Sequence, residues 1–230
     1  PVCFLALVAL DAVAMPCSVA LTDREVMELL RKTHPKAMIC DPKLGLEEFD
    51  RHTLQTQQVQ AFQTLPPARP VLGDPNRPGY IIFTSGTSGQ PRAVLHAHRA
   101  VWARRMMWTG WYELTPQDVM MHAGAFNWTY TLGTGLMDPW AIGASAVIPN
   151  TQEPAELWQI MQAEEASIFA AAPGIYRRLL QQSFVQTPRL RRGLSAGEVL
   201  PRSVRQSWQD RTQTPNCEAF GMTDSSTIQT

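Results

Sequence analysis

Short apolar stretches alternate with longer segments of helical character along most of this chain, and no other feature constrains its fold as much. Such alternation is the sequence sign of a parallel sheet with helices on its faces. The strand-like stretches are Ala37 to Cys40, Asp118 to Met121, Ala144 to Ile148, Ser167 to Ala171, Leu194-Ser195 and Cys217 to Phe220. Helices are expected at about Thr129 to Ile142, from Pro154 (a first-turn proline) to about Glu165, and near Ile175 to Gln182 and Ser203 to Asp210. The fold class that follows is α/β, with doubly wound, mostly parallel sheets flanked by helices.

The first part of the chain fits the same scheme. Phe4 to Met15 is apolar, but it has no basic lead-in, carries Asp11, and is too short to cross a bilayer, so it reads as a core helix. Ala12 to Cys17 reads as a short extended segment after it. Thr22-Asp23-Arg24-Glu25 is a capping box opening a helix whose Val26, Leu29 and Leu30 share one face, and Pro35 ends it. Residues from about Thr53 to Pro78 are rich in Gln and Pro with little apolar periodicity, and read as a surface connection between subdomains. His98 to Trp111 reads as a helix.

Between that connection and that helix lies the segment richest in chemistry. Tyr80-Ile81-Ile82-Phe83 is strand-like, Thr84-Ser85-Gly86-Thr87-Ser88-Gly89 follows, and Gln90-Pro91-Arg92-Ala93 leads into a return strand at Val94-Leu95. Glycines at 86 and 89 allow successive backbone N–H groups to face one anion, and the hydroxyls add donors. Arg92 places a permanent cation just beyond. A phosphate-binding turn fits these residues; an ordinary polar hairpin turn would use the same residue types. Two rival phosphate motifs fail. A Walker loop has four residues between its glycines followed by Lys-Ser or Lys-Thr, whereas Gly86 and Gly89 are too close and Lys32, Lys36 and Lys43 all lie upstream. Gly-x-Gly-x-x-Gly is absent from this segment.

Bulk properties narrow the function classes. With 44% hydrophobic and 17% charged residues in 230, the chain has the composition of a soluble globular protein with a sizeable core. Lys plus Arg and Asp plus Glu both number 20, so no net field favours nucleic acid or an anionic membrane. The arginine pairs at 104–105, 177–178 and 191–192 read as solvated faces or element ends. Cys3, Cys17, Cys40 and Cys217 form no Cys-x-x-Cys pair and read as reduced thiols of a cytoplasmic protein. His96 and His98 lack a third metal ligand, and a capping or packing role is expected of His98.

The run Thr84 to Arg92 resembles the phosphate loop of the adenylate-forming enzymes, the superfamily of acyl- and aryl-CoA synthetases, luciferases and peptide-synthetase adenylation domains. Ser88, Arg92 and Ala93 depart from that family's usual Thr, Lys and Gly. Three further segments resemble the family in its own order. His122 to Gly135 mixes aromatic with small residues like the acyl-pocket segment. Ser195-Ala196-Gly197-Glu198-Val199-Leu200-Pro201 is similar to a variant found in benzoate-type CoA ligases. Glu218-Ala219-Phe220-Gly221-Met222-Thr223-Asp224 resembles the aromatic-Gly-x-Thr-Glu motif, with Asp for Glu.

Carried over residue by residue, the resemblance implies that Thr84, Ser85, Gly86, Thr87, Ser88, Gly89 and Arg92 hold ATP phosphates. Ala196, Gly197, Glu198, Phe220, Gly221 and Thr223 bind the rest of the nucleotide. Trp128, Tyr130 and Gly133 line the acyl pocket, although Phe126, Trp128 and Tyr130 fit a plain aromatic core equally well. Thr84, Arg92 and Asp224 take catalytic roles, with Asp224 on Mg²⁺. The implied reaction joins a small carboxylate to ATP, then transfers the acyl group to CoA; nucleic acid and a membrane span play no part.

The resemblance also implies that this chain is the central part of a large N-terminal domain, with an upstream segment and a C-terminal domain outside it, and that it is weakly active or inactive alone. A non-catalytic nucleotide-binding relative is the alternative, favoured by Arg92, Ala93 and Asp224. The Gly193-x-Ser195-x-Gly197 pattern also matches a hydrolase nucleophile elbow, but that fold needs a histidine after the serine, and the last one is His122. His122 itself reads as a structural histidine with its hydrogen bonds satisfied.

Overall fold

The computed structural model describes residues 1–41, 52–84, 92–221, 223 and 228–229. They form two units, one of residues Cys17–Val71 and the other of Pro1–Pro16 with Leu72–Thr230.

In the larger unit, helix α1 (Val2–Ala9) is shorter than its apolar sequence predicts, because Asp11 takes a left-handed backbone (φ 63) that a helix cannot continue through. The freed residues do other work: Ala14 accepts from Ile81 N–H at 2.8 Å and donates to Gly79 at 3.1 Å. In the smaller unit, helix α2 (Asp23–Thr33) starts at the expected capping box. Thr22 Oγ1 accepts from Glu25 N–H at 3.4 Å, and the Glu25 carboxylate accepts from Thr22 N–H at 2.8 Å.

Strand β1 (Ala37–Cys40) pairs in parallel with β2 (His52–Gln55), and helix α3 (Thr56–Ala61) follows. The expected connection from about 53 to 78 is thus structured at its start. Parallel pairing satisfies the backbone there without needing an apolar period, while residues 65–77 carry no helix or strand.

In the larger unit, β3 (Pro78–Thr84) and β4 (Arg92–Ala97) form an antiparallel ladder that brings Thr84 opposite Arg92. Tyr80 and Ile82 on β3 pack with Phe4, Leu132, Leu136 and Met137. The helix expected from His98 to Trp111 is broken into α4 (Arg99–Ala103) and a wider π-type turn at Trp108–Tyr112. Strand β5 (Val119–His122) leads into one helical stretch made of α5 (Thr129–Leu132), a π-type segment (Gly133–Met137) and α6 (Asp138–Ile142).

The next elements alternate as the sequence implies: β6 (Ser145–Val147), α7 (Pro154–Ala163), β7 (Ile168–Ala171), α8 (Pro173–Leu179), β8 (Arg192–Ala196), α9 (Arg202–Thr212) and β9 (Asn216–Gly221); β10 (Ile228–Gln229), which the sequence reading did not include, ends the series. Their sheet has the order β10-β9-β8-β7-β5-β6. All of its pairs are parallel except β10 with β9. Its central strands are buried on both faces, which is why they read as unbroken apolar runs. Met121, Phe169 and Ala171 point into a core with Trp158, Tyr176, Leu179 and Trp208, whereas Met120, Ile168, Ala170 and Leu194 join Met107, Tyr112 and Leu114.

Strand β5 has β6 on one side and β7 on the other, so the connections diverge there. In open α/β sheets, ligands bind outside the carboxyl ends of the strands near such a switch point.

Candidate active site

Parallel strands deliver their carboxyl ends to one edge, and three of the segments singled out by sequence end there. His122 closes β5, Ala196 closes β8, and Phe220-Gly221 closes β9, with Ala196 directly paired to Ala219. Gly197 then takes a left-handed backbone (φ 96), a conformation that only glycine adopts without strain, and turns the chain away from the sheet. Glu198 beyond it lies 3.7 Å from Arg177. Phe220 is 64% exposed and Thr223 half-buried. Ser195 lies inside β8, fully buried, rather than on a strand-to-helix turn as a nucleophile elbow requires.

Thr84 and Arg92 close the β3–β4 ladder. Ser85, Gly86, Thr87, Ser88 and Gly89 between them, and Asp224 beyond β9, lie outside the described residues. Among the described residues no group of three or more His, Cys, Asp or Glu side chains is placed to hold a metal ion. The described residues therefore offer no donor set to test against Mg²⁺.

The expected acyl segment is built into the fold in an unexpected way. Trp128 is exposed at the start of α5. The Tyr130 ring packs edge-on against His122 with centroids 4.4 Å apart, and its hydroxyl donates to the Leu194 carbonyl at 3.0 Å. Gly133 is glycine because a Cβ there would collide with the guanidinium of Arg104.

That arginine is not the solvated residue its sequence pair implies. It is 3% exposed, Asp138 is 1% exposed, and they form a two-pronged ion pair, Nε to Oδ1 at 2.9 Å and Nη2 to Oδ2 at 2.6 Å. Tyr112 donates to Asp138 Oδ2 at 2.8 Å and shares a hydrogen bond of 2.7 Å with Thr134. Burial alone would lower the Arg104 pKa; the charge and hydrogen bonds of Asp138, together with Tyr112 and Tyr80, outweigh it, and the guanidinium stays charged.

Residues 191–192 are likewise tied in. Arg191 clamps Asp118 at 2.7 Å, and Arg192 donates to the Trp111 carbonyl at 2.8 Å. Only Arg105 of the 104–105 pair faces outward, over the Trp102 ring at 3.5 Å. Sequence spacing carries no signal for these partners, because Arg104 and Asp138 are brought together only by the packing of two helical segments.

His122 differs from its sequence reading as well. It is buried, but neither ring nitrogen finds a hydrogen-bond partner among the described residues. The ring is enclosed by positions where a side chain is missing: a Cβ on Gly124 would meet its Cε1 at 2.8 Å, and one on Gly135 its Cβ at 2.7 Å. Burial pushes the imidazole pKa down to about 3, the residue's own backbone partly opposes this, and the charge of Arg104 adds to the lowering. His122 is thus a neutral imidazole at the end of β5. His98 is the N-cap residue of α4 but makes no side-chain capping bond, and it lies 3.7 Å from Asp11; His96 stacks on Tyr80 at 4.6 Å.

An α/β domain with a parallel sheet and two motif segments paired at its carboxyl edge fits the class that the sequence resembles. The chain belongs to the family whose model is described as AMP-binding enzyme, matched over residues 1–230. It is 30% identical over 150 residues to acyl-coenzyme A synthetase ACSM3, mitochondrial, of Homo sapiens, an alignment covering 63% of this chain and 25% of that protein. It is 26% identical over 147 residues to 3-hydroxybenzoate–CoA ligase of Aromatoleum sp. (strain CIB), covering 62% and 28%. In structure it is similar to a benzoate CoA ligase from Burkholderia xenovorans LB400, with a TM-score of 0.89 at 19% identity over 99% of this chain and 49% of that one. The likeness confirms the doubly wound α/β fold. The aligned part of the chain thus spans about a quarter of the length of these curated relatives, and the chain about half of that solved structure.

Proposed function

We propose that this chain forms the nucleotide- and acyl-binding part of an AMP-forming carboxylate–CoA ligase. The observation that carries the proposal is the register of β8 and β9. Pairing Ala196 with Ala219 sets Gly197-Glu198 and Phe220-Gly221 side by side at the carboxyl edge, although more than twenty residues separate them in sequence. Family membership and relatives named as acyl- and aryl-CoA ligases support the same reading.

In this reading the substrate carboxylate attacks the α-phosphorus of MgATP and pyrophosphate leaves. The thiol of CoA then attacks the acyl carbonyl, AMP departs, and a thioester results. Ser85, Gly86, Thr87, Ser88 and Gly89 donate hydrogen bonds to the phosphates with Thr84, and Arg92 offsets charge growing on the departing pyrophosphate. Phe220 lies against adenine, Ala196, Gly197, Glu198 and Gly221 shape its slot, and Thr223 touches the α-phosphate. Trp128 and Tyr130 flank the acyl group near Gly133. Asp224 is the residue assigned to the magnesium that travels with ATP. Holding these partners in register supplies much of the rate. We place the protein in the cytoplasm; no helix among the described residues is long and apolar enough to cross a membrane.

The test has two stages. Calorimetric titration of this polypeptide with ATP and with AMP gives saturable binding, weakened in Arg92→Ala for ATP more than for AMP. Pyrophosphate release is then followed with a panel of aromatic and medium-chain carboxylates in the protein that contains this chain. Absence of nucleotide binding would sink the whole reading. Binding without pyrophosphate release from any acid would leave a non-catalytic nucleotide-binding relative in its place.

A further inference from the structure

Glu218 makes contacts that its position in a strand does not require. It lies on β9 opposite Ser195, and its carboxylate reaches over to the segment that follows β8. One oxygen accepts from the backbone N–H of Leu200 at 2.7 Å, and the other accepts from Arg205 Nη2 at 2.5 Å. Leu200 lies at the far end of the turn that Gly197 opens, and Arg205 lies in the first turns of α9, whose cap is Pro201. One side chain on β9 therefore fastens both the exit of the turn and the start of the next helix.

Leu200 is also held by its side chain, buried in the core with Trp158, Tyr176 and Trp208, but residues 197–199 before it have few other restraints. The Glu198–Arg177 pair is long and solvent-exposed, a kind of contact worth little. Val199 is 82% exposed. Without the Glu218 clasp, Gly197 would leave the turn free to sample many backbone states, and ordering it would fall on the ligand. Phe220 stands two residues along from Glu218, so the same strand carries both the clasp and the aromatic face assigned to adenine.

We propose that Glu218, anchored by Arg205, is a positioning residue that preforms the adenine slot by locking the 197–200 turn to β9. The inference rests on the nucleotide-binding reading above, but adds a residue pair to it. Because both carboxylate oxygens are already engaged by protein donors, Glu218 acts through the turn rather than on the base.

Calorimetric titration of the full chain with AMP tests this, with thermal melting of each variant alongside. Glu218→Ala should raise the AMP dissociation constant about tenfold, and Arg205→Ala about threefold, in line with loss of charge-assisted hydrogen bonds. Glu218→Gln should recover part of the loss, since its amide oxygen still accepts from Leu200 N–H while the Arg205 link is gone. All three should melt within about 2 °C of the parent, because the clasp is partly solvent-exposed. Unchanged AMP affinity in Glu218→Ala would overturn the proposal. So would a loss in Glu218→Ala with none in Arg205→Ala, which would remove Arg205 as the anchor, or losses that only track falling melting temperature. Failure of the parent chain to bind AMP would bring down the nucleotide-binding reading first, and the positioning role with it.

Discussion

Two buried groups decide most at the scale of single residues. His122 is held neutral in the folded chain with a pKa pushed down to about 3 by burial, against about 6.5 when unfolded. Below about 6.5 the unfolded state therefore binds the extra proton. The stability tied to this group is full above that pH and is lost as pH falls toward 3, with a slope of up to about 1.4 kcal/mol per pH unit. Urea denaturation between pH 7 and 4 should show that slope, and His122→Phe should flatten it. Asp138 is the second case. Asp138→Ala would leave Arg104 charged and buried without its carboxylate counter-charge, at a cost of about 3–5 kcal/mol, measurable as a lowered urea midpoint. Gly133→Ala should also destabilise, by about 1–3 kcal/mol, because its Cβ would displace the Arg104 guanidinium. None of these constraints was legible locally. Arg104-Arg105 looks like a solvated pair and His122 like a satisfied one, because a side chain's environment is set by distant neighbours.

Among elements, legibility depends on how local the stabilising contacts are. The α2 capping box involves residues three apart, so Thr22 and Glu25 announced it in sequence; Thr22→Ala should cost about 1 kcal/mol, seen as lost helicity or stability by circular dichroism. The clasp at the other end of the sheet was invisible for the opposite reason. Asp118, just before β5, accepts from Ser167 Oγ at 2.7 Å, from Arg191 Nε at 2.9 Å and from Thr115 N–H at 2.8 Å, so it ties together the starts of β5, β7 and β8.

Burial alone would raise the Asp118 pKa, but the bonds from Arg191 and Ser167 bring it down to about 2. A carboxylate depressed in the fold contributes stability above its unfolded pKa of about 3.9 and loses it as pH falls through the folded value. Arg191→Ala should therefore shift acid unfolding to higher pH, followed by tryptophan fluorescence between pH 5 and 2. The π-type turns at 108–112 and 133–137 also escaped the sequence reading, since an apolar helical period does not distinguish them from regular helix.

For the whole molecule, strands β5, β7 and β8 are buried on both faces, and their amides should exchange with solvent most slowly. Residues 65–77, without helix or strand, should exchange fastest by hydrogen–deuterium mass spectrometry. Sequence alone determined the α/β class, the order of the strands and helices from β5 to β9, and the motif segments, because apolar period, first-turn prolines and glycine-rich turns are local properties of the chain. Tertiary structure decided which segments meet. Register set Ala196 beside Ala219, two packed helical segments joined Arg104 to Asp138 and gave Gly133 its reason, and Glu218 found Leu200 and Arg205 across the sheet edge. Such contacts join residues far apart in the chain, and no pattern read along a sequence specifies them until the strands have paired.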